Sequence, residues 1–227
     1  MAFGLCVLFT QSASAAAYVF TSAPSSAQGQ QTLGFTFTAN QDFTITSVGY
    51  YDLGGDGFQT DHEIGIYAGD GMVAPGALLV STDLAAGESG VLGADSFRYQ
   101  DITPLDVTAG STYTIAGVSP NYSTLNDAFD YIGPDDMNGF AVSSLITIGP
   151  DAARYYYYTP TLVDPSLHYG NYQIYAVNFQ GPGLDAVFTR PGSVPEPGAW
   201  ALMLIGLGLA GGALRARRAV VLASSRR

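Results

Sequence analysis

Large apolar side chains recur at every second position of this chain, and that period limits its fold more than any other feature. Leu33, Phe35 and Phe37 alternate with Gly34, Thr36 and Thr38, and Phe43 and Ile45 with Thr44 and Thr46. Ile64 with Ile66, Phe97 with Tyr99, and Tyr113 with Ile115 repeat the pattern. Successive side chains of an extended strand point to opposite sides, so each set lies on one face of a half-buried strand. Between Tyr18 and Phe188 no window of useful length follows the helical period; short runs are separated by Gly, Asp, Pro and Asn. The spacing predicts strands near 18–21, 32–38, 43–51, 63–68, 77–82, 96–101, 111–118, 153–159 and 171–179. A lone sheet built from these would leave its apolar face wet. The expectation for residues 18–188 is therefore an all-β domain, a jelly-roll-like β-sandwich. Residues 119–152 contain Pro120, Pro134 and Pro150 and the acidic residues Asp127, Asp130, Asp135 and Asp136. They are less regular, and part of them reads as a long loop over one end of the sandwich.

Charge narrows the function classes. Up to Arg190 there are 18 acidic residues and only Arg98, Arg154 and Arg190 as bases, a net charge of −15, and the chain has no lysine. Such a surface repels phosphate backbones and excludes nucleic acid as a partner. It suits solubility outside the cell and attracts cations.

Residues 1–17 combine an apolar stretch with small residues of the Ala-x-Ala type, ending Ser12-Ala13-Ser14-Ala15-Ala16-Ala17. They read as a secretory signal peptide cleaved near Ala15 to Ala17. The usual basic opening is missing, so the translation start is expected upstream. Cys6 is the single cysteine and follows Leu5 rather than a small residue, which argues against a lipoprotein cleavage box. The mature domain then has no thiol or disulfide and must hold together by burial, alone or with a metal.

At the other end, residues 189–194 form a linker carrying Pro191 and Gly192, and the next 20 residues change character. Gly198 to Leu214 are 17 residues without a charge. As a helix they cover roughly 25 Å, close to the thickness of a hydrocarbon core. A buried helical hairpin would have the same length. Three features favour a single C-terminal transmembrane helix at 198–214. Pro195 and Pro197 stop any element before it, Trp200 stands where an interfacial aromatic belongs, and Arg215, Arg217 and Arg218 follow as cytoplasmic flanking charge. The body then lies outside, and residues 219–227 form a cytoplasmic basic tail. Gly206-Leu207-Gly208-Leu209-Ala210-Gly211 matches a dinucleotide fingerprint, but no strand precedes it and an apolar helix surrounds it. Small residues at this spacing let another membrane helix come close.

Pro195-Glu196-Pro197, Trp200, the Leu/Gly-rich run and the arginines Arg215, Arg217 and Arg218 resemble the PEP-CTERM sorting signal of Gram-negative bacteria, over 195–218 and its immediate flank. The resemblance implies recognition by an exosortase, a membrane cysteine protease, with processing near Pro-Glu-Pro. It implies transient residence in the inner membrane, then the cell surface or extracellular matrix, in the setting of exopolysaccharide and biofilm. The same tail sometimes carries the label of an ice-binding protein C-terminal domain, although the tail itself offers nothing that binds ice. The extension Ala219 to Arg227 is longer than the usual basic end. The body resembles a DUF4082-like extracellular β-sandwich over roughly 30–118. That likeness is carried by Val48-Gly49-Tyr50-Tyr51-Asp52, Gly55-Asp56-Gly57, His62-Glu63-Ile64-Gly65-Ile66-Tyr67, Phe97-Arg98-Tyr99 and Thr108-Ala109-Gly110-Ser111-Thr112-Tyr113.

Within the body, the segment from Asp52 to Glu63 has acids at its first, fifth, tenth and twelfth positions and Gly57 at its sixth. This nearly fits a calcium loop. Gly54 at the third position supplies no side-chain ligand, and flanking strands exclude a helix–loop–helix hand. Asp52, Asp56, Asp61 and Glu63 are candidate calcium ligands, calcium being the one cofactor this sequence suggests. The competing reading is a Gly/Asp-rich connection whose aspartates cap turns. In Arg154-Tyr155-Tyr156-Tyr157-Tyr158, alternation sends Tyr155 and Tyr157 one way and Tyr156 and Tyr158 the other. An exposed Tyr156/Tyr158 pair is a candidate platform for stacking sugar rings, against a reading of plain strand propensity. Catalysis finds little support. His62 and His168 are the only histidines, neither in a zinc spacing, and no Gly-x-Ser-x-Gly turn exists. The expectation is a non-enzymatic surface or matrix protein. The alternatives are a calcium-supported glycan- or ice-binding module and, behind it, a secreted hydrolase. Thr36/Thr38 and Thr44/Thr46 are too few for a flat ice-binding array.

Overall fold

The computed structural model describes residues 16–20, 25–27, 31–52, 54–119, 129–131, 140–149, 151–157, 161–165, 167–168 and 177–185. The chain divides into two compact units, Met1–Phe188 and Thr189–Arg227. All described residues belong to the first. Residues 1–15 of the expected leader 1–17, the linker, the helix at 198–214 and the tail to Arg227 lie outside the described residues, as do 171–176 of the last expected strand.

Among the described residues every regular element is a strand. The long ones fall where the alternation places them: β3 (Gln31–Ala39), β4 (Phe43–Tyr51), β5 (His62–Ala68), β6 (Leu78–Leu84), β8 (Phe97–Val107), β9 (Thr112–Ser119), β13 (Ala153–Tyr157) and β15 (Val177–Gln180). Short strands complete the set: β1 (Tyr18–Phe20), β2 (Ser25–Ala27), β7 (Val91–Leu92), β10 (Phe129–Tyr131), β11 (Phe140–Val142), β12 (Ile146–Thr147) and β14 (Leu167–His168). The stretch expected to be a loop over one end thus supplies three of them. One sheet runs β14-β13-β3-β9-β5-β6 with β12 also on β3, and the other runs β15-β4-β8-β7. Two further pairs, β1-β11 and β10-β2, stand beside them, and every pairing is antiparallel. A jelly roll has eight strands in two sheets. Here the main sheets hold seven and four, so the broader class, an antiparallel all-β sandwich, is what the structure shows.

The two sheets meet through aromatic rings. Phe37 of β3 lies 4.7 Å from Phe179 of β15, and Tyr50 of β4 stacks at 4.0 Å on His62 of β5. The backbone of β9 comes so near the opposite sheet that a Cβ on Gly117 would lie 2.6 Å from Val177 Cγ1 and 3.2 Å from the Tyr50 ring. On β4 the apolar set changes parity. Phe43 and Ile45 are followed by Val48 and Tyr50, and the change falls at a register irregularity between Ile45 and Ser47, where β8 carries two extra residues: Ile45 pairs with Leu105 but Ser47 with Asp101.

The N-terminal stretch is part of the core. Ala16, Ala17, Tyr18, Val19 and Phe20 are all buried. Tyr18 meets Phe20, Phe35 and Phe97 edge to face at 5.4, 5.5 and 5.7 Å, which joins β1 to both sheets. Its hydroxyl donates to Val177 O at 3.0 Å, and Asn178 Nδ2 donates to Tyr18 O at 2.8 Å.

Candidate functional site

The expected calcium ligands lie in the loop after β4 and at the start of β5, and the structure places them apart. Asp52 is fully buried. Its Oδ2 accepts from Arg98 Nε at 2.5 Å and from the Gly57 N–H at 3.1 Å. Arg98 Nη2 donates onward to Gly55 O at 3.1 Å. Gly57 sits at φ 93°, a conformation L side chains rarely adopt, which aims its N–H back at Asp52. Phe58 forms an isolated antiparallel bridge with Gly87, and Asp61 Oδ1 accepts the Ala86 N–H at 2.8 Å, so the loop is pinned to the turn after β6. Asp56 is exposed. Glu63 stands on β5 opposite Asp83 and accepts the Leu162 N–H at 3.4 Å. Among the described residues no three His, Cys, Asp or Glu side chains come together as a metal-binding group. Asp52, Asp56, Asp61 and Glu63 are therefore not gathered, and Asp52 and Asp61 serve as loop anchors. His62 is a core residue: its Nδ1–H donates to Val118 O at 2.8 Å, and its ring lies between Tyr50 and Phe58.

A second place stands out on the outer face of the larger sheet. Register pairs Thr147 with Thr38 and Thr38 with Thr112, which puts three threonines on one face across β12, β3 and β9. They line a cleft of about 220 Å³ with Thr36, Asp70, Asp151 and Arg154. Thr38 and Thr112 share a hydrogen bond at 3.2 Å. Arg154 shapes one wall. Its Nε donates to Asp70 O at 3.0 Å, and its Nη1 donates to Ala153 O at 3.0 Å and to Asp151 O. Burial pulls the Arg154 pKa down, against the carboxylates of Asp70, Asp151 and Asp164. Behind this wall Asp164 is buried with Oδ2 on the Gly76 N–H, while its Oδ1 has no hydrogen-bond partner among the described residues. Burial raises its pKa, opposed by the Gly76 bond and by Arg154 and reinforced by Asp70. The cleft is hidden in the sequence because its residues come from four separated segments, and only Thr36 and Thr38 stand close enough to form a visible pattern.

The tyrosine run divides as its alternation requires. Tyr155 packs against the core, whereas Tyr156 is 42% exposed on the face shared with Thr32. Tyr158 and the side chains of Tyr157 and His168 lie outside the described residues.

The acidic all-β body is followed in the sequence by an uncharged run closed by arginines. The family model that matches is the PEP-CTERM protein-sorting motif, over residues 193–218. The match contains Pro195, Glu196, Pro197, Trp200, Arg215, Arg217 and Arg218. This motif is read by an exosortase, so the chain is an exosortase-sorted protein of the Gram-negative export route. No curated protein and no solved structure matches the chain.

Proposed function

We propose that this chain is a non-enzymatic cell-surface or extracellular-matrix protein. It crosses the inner membrane behind its leader and is held with the body outside by a helix at 198–214. It is then trimmed near Pro195-Glu196-Pro197 and placed among exopolysaccharide, in the biofilm setting of its sorting system. The sorting motif at 193–218 is the observation that carries this reading. The acidic body and its likeness to the DUF4082-like module agree with it. The test is fractionation of the full chain in a Gram-negative host with and without its exosortase. The wild type should convert from an inner-membrane precursor to a shorter surface form. Glu196→Ala combined with Pro197→Ala, or loss of the exosortase, should leave the precursor uncut in the membrane. A full-length chain dissolved in the cytosol, or processing indifferent to the motif, refutes the proposal.

One observation favours a second reading, a binding module for a polyhydroxylated ligand. The threonine cleft offers hydroxyls with two carboxylates at its rim, the donor and acceptor mixture that sugar hydroxyls match. Half-exposed Tyr156 on the same sheet suits ring stacking. Binding of exopolysaccharide fragments to the exported protein, weakened tenfold by Asp151→Asn with Thr112→Val, supports it. Equal binding by the variant removes the cleft from consideration.

A further inference from the structure

One buried side chain ties two rims of the threonine cleft together. Arg154 is 4% exposed and lines the cleft. Its Nε and Nη1 donate to the backbone carbonyls of Asp70, in the loop after β5, and of Asp151, just before β13. Both aspartates are exposed and line the cleft, so a single guanidinium fixes the backbone under two carboxylates. Its third nitrogen, Nη2, has no hydrogen-bond partner among the described residues. The hydroxyls are largely committed as donors. Each has one proton to give and two lone pairs to accept with. Thr36 Oγ1 donates to Ala152 O at 3.3 Å, and Thr147 Oγ1 donates to Asn40 Oδ1 at 2.9 Å. Thr38 and Thr112 spend one proton on each other. Among the described lining side chains, the donors left over are Arg154 Nη2 and one threonine hydroxyl. Against them stand the carboxylates of Asp70 and Asp151 and the lone pairs of the threonines.

This surplus of acceptors selects the ligand. A neutral sugar hydroxyl gives as it takes, and a uronate or phosphate group brings acceptors alone. A primary ammonium brings three donors and no acceptor. Charge selects the same way. Asp70, Asp151 and, behind them, Asp164 all act on the one Arg154 guanidinium, so the cleft repels anions and draws cations. Among the described residues no three His, Cys, Asp or Glu side chains gather, so the cleft lacks the ligand set of a bare metal ion. Its volume of about 220 Å³ is below the roughly 300–1,000 Å³ of clefts that bury drug-sized ligands, which suits a single ring of a longer chain. We infer that the cleft binds an amino sugar with a free amine, its ammonium held by Asp70 and Asp151 and its ring hydroxyls by the threonines and Arg154 Nη2. The inference rests on the reading of the cleft as a sugar site and narrows it to one class of sugar.

The exported protein is titrated calorimetrically with a glucosamine trimer, the N-acetylated trimer, a glucose trimer and a trilysine peptide. The glucosamine trimer should bind at least about tenfold tighter than the acetylated one, the measure of one charge-assisted hydrogen bond. Asp70→Asn combined with Asp151→Asn should abolish that preference at an unchanged melting temperature. Asp151→Asn alone, at a side chain with no hydrogen bond among the described residues, carries the same test if the double variant melts early. Asp83→Asn combined with Asp101→Asn removes the same charge from exposed positions that do not line the cleft, and should leave the preference intact. Glucose or acetylated trimer binding as tightly as glucosamine, and still weakened in the cleft variant, overturns the amine and keeps the sugar site. Trilysine binding as tightly as glucosamine overturns the sugar ring as the recognised group. Equal losses in the two double variants reduce the effect to attraction by the surface at large and overturn the inference. Binding of none of the probes removes the sugar reading together with it.

Discussion

Arg98→Met is the sharpest test of how the loop after β4 is built. In the wild type, the Asp52 carboxylate is fully buried, with one oxygen on Arg98 Nε and the Gly57 N–H and the other without a hydrogen-bond partner among the described residues. Methionine keeps most of the length of arginine but removes the charge, the bond to Asp52 and the bond to Gly55 O. What remains is a buried carboxylate with one hydrogen bond. Breaking a buried pair from one side costs about 3–5 kcal/mol. In a body of this size that lowers the melting temperature by roughly 6–20 °C. Adding Asp52→Asn to Arg98→Met removes the stranded charge, so the double variant should recover part of the loss. The assay is urea unfolding of the exported protein for wild type, both single variants and the double variant, with and without millimolar calcium. A loss below about 1 kcal/mol for Arg98→Met, or strictly additive single losses, refutes the ion-pair account. Restoration of Arg98→Met by calcium also refutes it, because Asp52 would then be acting as a cation ligand.

Three further outcomes are expected. Gly117→Ala should cost about 1–3 kcal/mol in the same urea assay, because its methyl group would meet Val177 and Tyr50 across the sandwich. The raised Asp164 pKa means that the folded state holds a proton the unfolded chain has already released. Its contribution is complete below the ordinary carboxyl value of 3.8 and is lost as pH rises through the higher folded value. Asp164→Asn should flatten that part of the stability–pH curve. Asp185 behaves oppositely: bonds from Ser143 Oγ, Ser144 Oγ and the Ser144 N–H, each 2.7 Å, hold its carboxyl below the usual range. Its contribution is present above the ordinary carboxyl value and lost as pH falls through the lower folded one, and Ser144→Ala should weaken that acid-side loss.

The long strands were legible because one face of each is buried, so Leu33, Phe35 and Phe37 carry their period in plain view. β8 was recognised only to residue 101. Beyond Tyr99 its outer edge has lost β7, so Asp101, Thr103 and Asp106 stay exposed and Pro104 costs no ladder bond there. Strands of two or three residues, such as β11 and β12, are too short to show any period and exist through their partners on β1 and β3. The aspartates of the loop after β4 were visible as acids. Their roles were not, because the partner of Asp52 is 46 residues away on the neighbouring strand. The sorting motif, by contrast, is a local signal that a membrane enzyme reads in sequence order, and it was legible in full.

The two arginines of the described body both lie inside it, each 4% exposed, one clasped by Asp52 and the other by backbone carbonyls. With no lysine in the chain, the outside of the described body presents anionic charge alone. Two such bodies repel at close range, over about 10 Å at 0.1 M salt. Crowded on a surface, they should stand apart in fresh water and draw together as the medium turns brackish.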